Sequence, residues 1–125
     1  MKQIISTPNA PAAIGPYSQA ILANGTLYAS GQIPINPKSG NIEGTDIVAQ
    51  TKQVMENIGN LLKEAGFVYD DIVKTTVFIS DMALFVEFNE TYKTYFTNSF
   101  PARSCVAVKG LPKNALLEIE CIACK

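Results

Sequence analysis

The run Ile72-Val73-Lys74-Thr75-Thr76-Val77-Phe78-Ile79 decides the fold, because its density of β-branched residues predicts a central strand between two helical patterns. Tyr69-Asp70-Asp71 opens it and Ser80-Asp81 ends it. Upstream, Thr45 is the expected N-cap and Asp46 a first-turn negative charge. Positions 47, 51, 54, 58, 61, 62 and 65 then recur at helical spacing until Gly66, where a C-cap belongs. Downstream, Phe85, Phe88, Asn89, Tyr92 and Phe96 fall on one helical face, and Asn98 through Pro101 close that second helix. An aromatic stripe of this kind ordinarily packs a core.

Farther out, residues 18–23 and 26–30 read as a hairpin through the Asn24-Gly25 turn. Pro34, Pro37, Gly40 and Gly44 keep residues 34–44 out of regular structure. Two last strands, at about 103–109 and 116–123, flank Gly110-Leu111-Pro112-Lys113-Asn114-Ala115 and read as a second hairpin. The element order is ββαβαββ, which predicts an α+β domain over residues 1–125 with both helices on one face of a mixed sheet.

Composition limits the function classes. The chain has 125 residues, 47% of them hydrophobic and 17% charged, with ten Lys plus Arg against eleven Asp plus Glu. A charged fraction below the roughly 25% of an average soluble domain leaves little polar surface to spare, which points to oligomerisation. A net charge of −1 without a basic block disfavours nucleic acid, whose binding needs a concentrated positive face. The chain has no His, so Ser-His-Asp and Cys-His triads and His-ligated zinc cannot be built within it. No stretch approaches a membrane span and the amino terminus lacks a signal-peptide core, so a cytoplasmic protein is expected. Cys121-Ile122-Ala123-Cys124 spells C-x-x-C, yet on a strand positions three apart face opposite ways. No metal or redox pair is expected from it.

Strand parity in the expected second hairpin suggests a site. Val106 and Val108 are placed with Leu117, Ile119 and Cys121 on the core face, which leaves Arg103, Cys105, Glu118 and Glu120 on the other. If Lys109 pairs with Leu116, Cys105 lies opposite Glu120 and Arg103 lies diagonal to it at roughly 7 Å between Cβ atoms. Such a pair reads in two ways. It is an exposed ion pair worth at most ~1 kcal/mol, or Arg103 grips a ligand carboxylate while Glu120 holds a water. Cys105, with no His to activate it and a Glu expected nearby to raise its pKa, reads as a pocket-lining residue.

Phe100-Pro101-Ala102-Arg103-Ser104-Cys105-Val106, Leu111-Pro112-Lys113 and Glu118-Ile119-Glu120 carry a resemblance over essentially the whole chain. Together with Gly15-Pro16-Tyr17-Ser18 and Ser30-Gly31-Gln32-Ile33-Pro34, they resemble the RidA, or YjgF, family of enamine/imine deaminases. The resemblance implies a chorismate-mutase-like α+β fold, a homotrimer with clefts between subunits, and hydrolysis of 2-imino and 2-enamino acids to 2-keto acids and ammonia without metal or cofactor. It implies that Arg103 binds the substrate carboxylate and Glu120 orients water, with Tyr17, Ser30, Gly31, Cys105 and, more weakly, Asn89 lining the cleft. Each of these has a plainer reading. Tyr17 fills a strand entrance, Ser30-Gly31 forms a bulge, and Asn89 is a solvated helix position. Two rival functions follow from the same residues. One is a non-catalytic module that senses small carboxylates for a partner protein, and the other is an RNA-cleaving or translation-inhibiting protein, which the charge balance disfavours.

Overall fold

A computed structural model describes residues 1–125. The expected central strand is β6, Ile72–Ile79, and alternate residues Thr75, Val77 and Ile79 are buried on one of its faces. The long helix α1 spans Ile47–Ala65. It is capped one residue later than expected. The Asp46 carboxylate accepts from the Ala49 amide at 2.8 Å, while Thr45 stays exposed. The helix stops at Gly66, whose φ of 84° lets its amide reach the Lys63 carbonyl at 3.1 Å. Helix α2 spans only Phe85–Tyr92, and its last turn tightens into a 3₁₀ turn at Lys93–Tyr95 before Phe96 becomes extended.

The remaining strands are β1 (Lys2–Ile5), β2 (Ala20–Ala23), β3 (Thr26–Gln32), β7 (Ala102–Ala107) and β8 (Leu117–Cys124). They join β6 in one six-stranded sheet of order β1-β2-β3-β8-β6-β7. The β2–β3 hairpin forms at the expected turn, with Asn24 at φ 51° and Gly25 at φ 79°, as a two-residue type I′ loop requires. Strand β1 is an addition to the expected order. Its Lys2, Gln3 and Ile4 are exposed and only Ile5 is buried, so it carries no alternating signal. The Pro- and Gly-rich stretch also holds a small separate hairpin, β4 (Ile35–Asn36) with β5 (Asn41–Ile42).

The second expected hairpin does not form. Strand β6 lies between β7 and β8, parallel to the first and antiparallel to the second. The cause is the connection through α2, since a helical crossover returns the chain in the direction of the strand it left. The loop after β7 then straddles the end of β6. Val108 donates to the Ile79 carbonyl and Ser80 to the Leu116 carbonyl, each at 2.9 Å. Both helices pack on one face of the sheet, where Val54, Ile58, Leu61 and Leu62 of α1 and Phe88 of α2 meet Leu27, Val77, Ile79, Leu117 and Ile119, all fully buried. No helix is long and apolar enough to cross a membrane.

Candidate functional site

The inserted strand overturns the face assignment for the site. Arg103 pairs with Thr75, which in turn pairs with Cys121, so these three share the helix-covered face. Glu120 pairs with Thr76, whose other neighbour is Ser104, and these occupy the open face. Parity within each strand holds, but the two sets combine the other way from the expectation. Arg103 and Cys105 belong with Leu117, Ile119 and Cys121, while Val106 lies with Glu118 and Glu120 and is 48% exposed. An edge strand explains the error, because its outward apolar residue looks like a core residue in the sequence. The intrachain ion pair between Arg103 and Glu120 therefore does not exist. The chain's one ion pair joins exposed Lys93 and Glu90 at 3.0 Å.

Arg103 instead lies under α2. Its Nη1 donates to Asn89 Oδ1 at 2.8 Å, and its Cζ lies 5.1 Å from the Tyr92 ring centroid, 5.3 Å from Phe85 and 5.7 Å from Phe88. The aromatic stripe thus has a second role beside core packing, as a cradle for a guanidinium. Residues i and i+4 stand above one another on a helix, so Phe85 with Asn89 and Phe88 with Tyr92 flank the same cation. Tyr92 is fixed in turn by Thr75, its hydroxyl 2.7 Å from Thr75 Oγ1. Burial pushes the Tyr92 phenol up, although the Thr75 bond and the Arg103 charge oppose that. The groove at Arg103 has a volume of about 420 Å³ and is lined by Asn89, Glu90, Tyr92, Lys93, Phe100 and Pro101.

Cys105 follows Arg103 on the same face, half-buried. Burial pushes its thiol up and the Arg103 charge partly offsets that; the carboxylate expected as the cause lies on the other face. Glu120 sits in a separate hollow of about 180 Å³ with Tyr28, Lys74 and Thr76. Tyr17 and Gly31 line a third hollow of about 170 Å³, next to Gln32 and Lys113. The register of β3 against β8 shifts between Ala29 and Gln32, so Ser30 and Gly31 do form a bulge, and Ser30 Oγ donates to the Ser18 carbonyl at 2.6 Å. A side chain at Gly31 would meet Glu118, since a Cβ there would lie 2.8 Å from the Glu118 carboxyl carbon. Glu118 is a residue the sequence reasoning left without a role. Burial, and then the nearby Glu120 charge, push its carboxyl up.

One chain therefore joins Arg103 and Asn89 in one groove, leaves Cys105 on the same face but outside the groove lining expected of it, and holds Glu120 and the Tyr17–Gly31 pair in two other hollows. No group of three or more Cys, Asp and Glu side chains is arranged to hold a metal ion.

Fold and groove define a small α+β protein whose edge strand carries an arginine into an open hollow. The chain belongs to the RidA, or YjgF, family, whose description reads Endoribonuclease L-PSP and which matches residues 7–125. A Rid family protein from Yersinia pestis, YyfA, superimposes with a TM-score of 0.97 at 55% identity, covering 100% of both chains. A RutC family protein from Pyrococcus horikoshii is 53% identical over 125 residues, 100% of this chain and 99% of the relative. The 2-iminobutanoate/2-iminopropanoate deaminase of Mus musculus is 47% identical over 123 residues, 98% of this chain and 91% of the relative.

Proposed function

We propose that this chain is a cytoplasmic, cofactor-independent deaminase that hydrolyses 2-imino acids, with their 2-enamino tautomers, to 2-keto acids and ammonia. The observation that carries the reading is Arg103. It is an arginine with no carboxylate partner, steered by Asn89 and three aromatic rings into an open groove. A guanidinium in that state is a ready partner for a small carboxylate, which its planar fork grips bidentately. The deaminase name of the Mus musculus relative supports the reaction class.

Glu120 faces away from this groove, so the reading requires a neighbouring copy to bring the open sheet face of one chain to the Arg103 groove of the next. We propose a homotrimer with the site between subunits, in which Tyr17, Ser30, Gly31 and Glu120 of one copy meet Arg103, Asn89 and Cys105 of another. A cyclic arrangement closes such heterologous contacts. Arg103 holds the substrate carboxylate and places the imine carbon beside one water, which Glu120 orients by accepting its hydrogen bond. Water adds across C=N to give the carbinolamine, which then loses ammonia to leave the ketone. A barrier reduction of a few kcal/mol, at about 1.4 kcal/mol per tenfold, is enough for a bond that hydrolyses readily by itself.

The test couples a serine or threonine dehydratase to this protein and follows ketone release. Wild type should accelerate release and Arg103→Ala should abolish both acceleration and 2-oxobutanoate binding. Glu120→Gln should keep binding and lose turnover by about 100-fold or more. An unchanged rate on adding wild type sinks the reading. Binding of 2-oxobutanoate without acceleration would favour the rival carboxylate-sensing module.

A further inference from the structure

Two adjacent aspartates in the turn before β6 do different work. Asp71 caps its own turn, with Oδ2 accepting from the Val68 amide at 2.8 Å. Asp70 makes no bond within the turn. Its carboxylate accepts from the Thr97 amide at 3.1 Å, from the Thr97 hydroxyl and from Asn98 Nδ2 at 3.3 Å. It is the one side chain that hydrogen-bonds residues 97–101, a segment belonging to no helix or strand. That segment ends in Phe100 and Pro101, which form a wall of the Arg103 groove. Phe100 is 64% exposed, and its ring meets the Phe96 ring edge-on at 6.1 Å.

The base of this contact is firm. Tyr69, one residue before Asp70, donates to the Met55 carbonyl of α1 at 2.7 Å and packs on Tyr95 at 5.4 Å. The turn is thereby seated on the core helix, and Asp70 reaches from it to a segment with no other side-chain hydrogen bond, held besides only by the Phe96–Phe100 ring contact. A loop whose one side-chain acceptor is matched to an amide and a hydroxyl has a favoured placement, and loss of that acceptor lets the loop sample others.

We propose that Asp70 is a positioning residue for the Arg103 groove: it latches residues 97–98 so that Phe100 and Pro101 stand as the wall against which the substituent of a bound carboxylate packs. This rests on Arg103 as the carboxylate-binding residue and extends it to what shapes the groove. Asp70 touches no substrate. It acts by setting the fraction of molecules whose groove is formed, and the apparent affinity falls in proportion to that fraction.

The experiment compares Asp70→Ala, Thr97→Val and Thr97→Ser in the full chain. Hydrogen exchange at the Thr97 amide and titration with 2-oxobutanoate are measured in every variant, so the test does not depend on turnover. Asp70→Ala should speed exchange at the Thr97 amide, which donates to Asp70, and weaken 2-oxobutanoate binding about threefold to tenfold. In the coupled assay the loss should appear in KM with kcat little changed. Thr97→Val should act in the same direction and Thr97→Ser should restore wild-type behaviour, a rescue that a general loss of stability does not give. Unchanged exchange and binding in Asp70→Ala overturn the latch, as does a fall in kcat with KM unmoved. Failure of wild type to bind 2-oxobutanoate rejects the carboxylate reading of Arg103 and with it the functional role of the latch. Failure of wild type to accelerate ketone release, with binding intact, rejects only the deaminase.

Discussion

Replacing Gly59 by Ala should destabilise this protein, although the same change in an exposed helix interior normally stabilises by about 1 kcal/mol. Gly59 lies within α1 under the ring of Tyr69, where an added Cβ would sit 2.7 Å from Tyr69 Cζ and 3.4 Å from Cε2. The ring cannot move aside freely, because its hydroxyl donates to the Met55 carbonyl and it packs against the Tyr95 ring at a tilt of 57°. Burial of this phenol pushes its pKa up to about 12, so it remains a neutral donor at ordinary pH. Displacing it forfeits a hydrogen bond of about 1 kcal/mol, an aromatic contact of about 1 kcal/mol, and roughly another 1 kcal/mol of apolar contact. Against the helix-propensity gain, the net effect is a loss of about 2 kcal/mol. Urea unfolding at one protein concentration measures it, the concentration being fixed because any association contributes to apparent stability. The decisive arm is the Tyr69→Ala background, where the obstruction is gone and Gly59→Ala should stabilise by about 1 kcal/mol. A stabilising effect in the wild-type background, or the same effect in both, would refute the packing argument.

Stability should fall as pH rises above the ordinary carboxylate value of 4.5, through the raised value that burial and Glu120 impose on Glu118. In that window the folded chain binds more protons than the unfolded one, so the slope of stability against pH is negative. Glu118→Gln should flatten it, and urea midpoints at a series of pH values that leave the slope unchanged would remove Glu118 as its source. The three thiols should label in order. Cys124 is exposed and should react first, Cys105 is half-buried and should follow slowly, and Cys121, pushed up to about 12 by burial and then by Glu120, should react only on unfolding. Timed alkylation with peptide mass mapping checks this, and early modification of Cys121 contradicts its placement on the covered face.

Much of the local structure is legible in the residues themselves, because it depends on neighbours a few positions away. Period 3.6 set α1, β-branching set β6, and Asn24-Gly25 set the first hairpin. The opposite orientations of Cys121 and Cys124 follow from strand parity, with one buried and the other exposed. The family resemblance rests on the same kind of information, short blocks in order. Less was legible at β1, where a single buried residue leaves no pattern. At the start of α1, Thr45 and Asp46 are both competent caps, and only the geometry selects Asp46.

Which residues meet across the sheet was decided by the tertiary structure alone. Parity states which side chains of one strand agree with each other, but it carries no information about which strand lies alongside. Once α2 returns the chain parallel to β6, Arg103 falls under the aromatic stripe and Glu120 on the far face. The physical reason is that strand order is a long-range choice, made by the burial of whole apolar faces and by the handedness of crossovers. Hydrogen bonds along one strand are equally satisfied by any neighbour, so local pattern cannot distinguish a hairpin from two strands divided by a third.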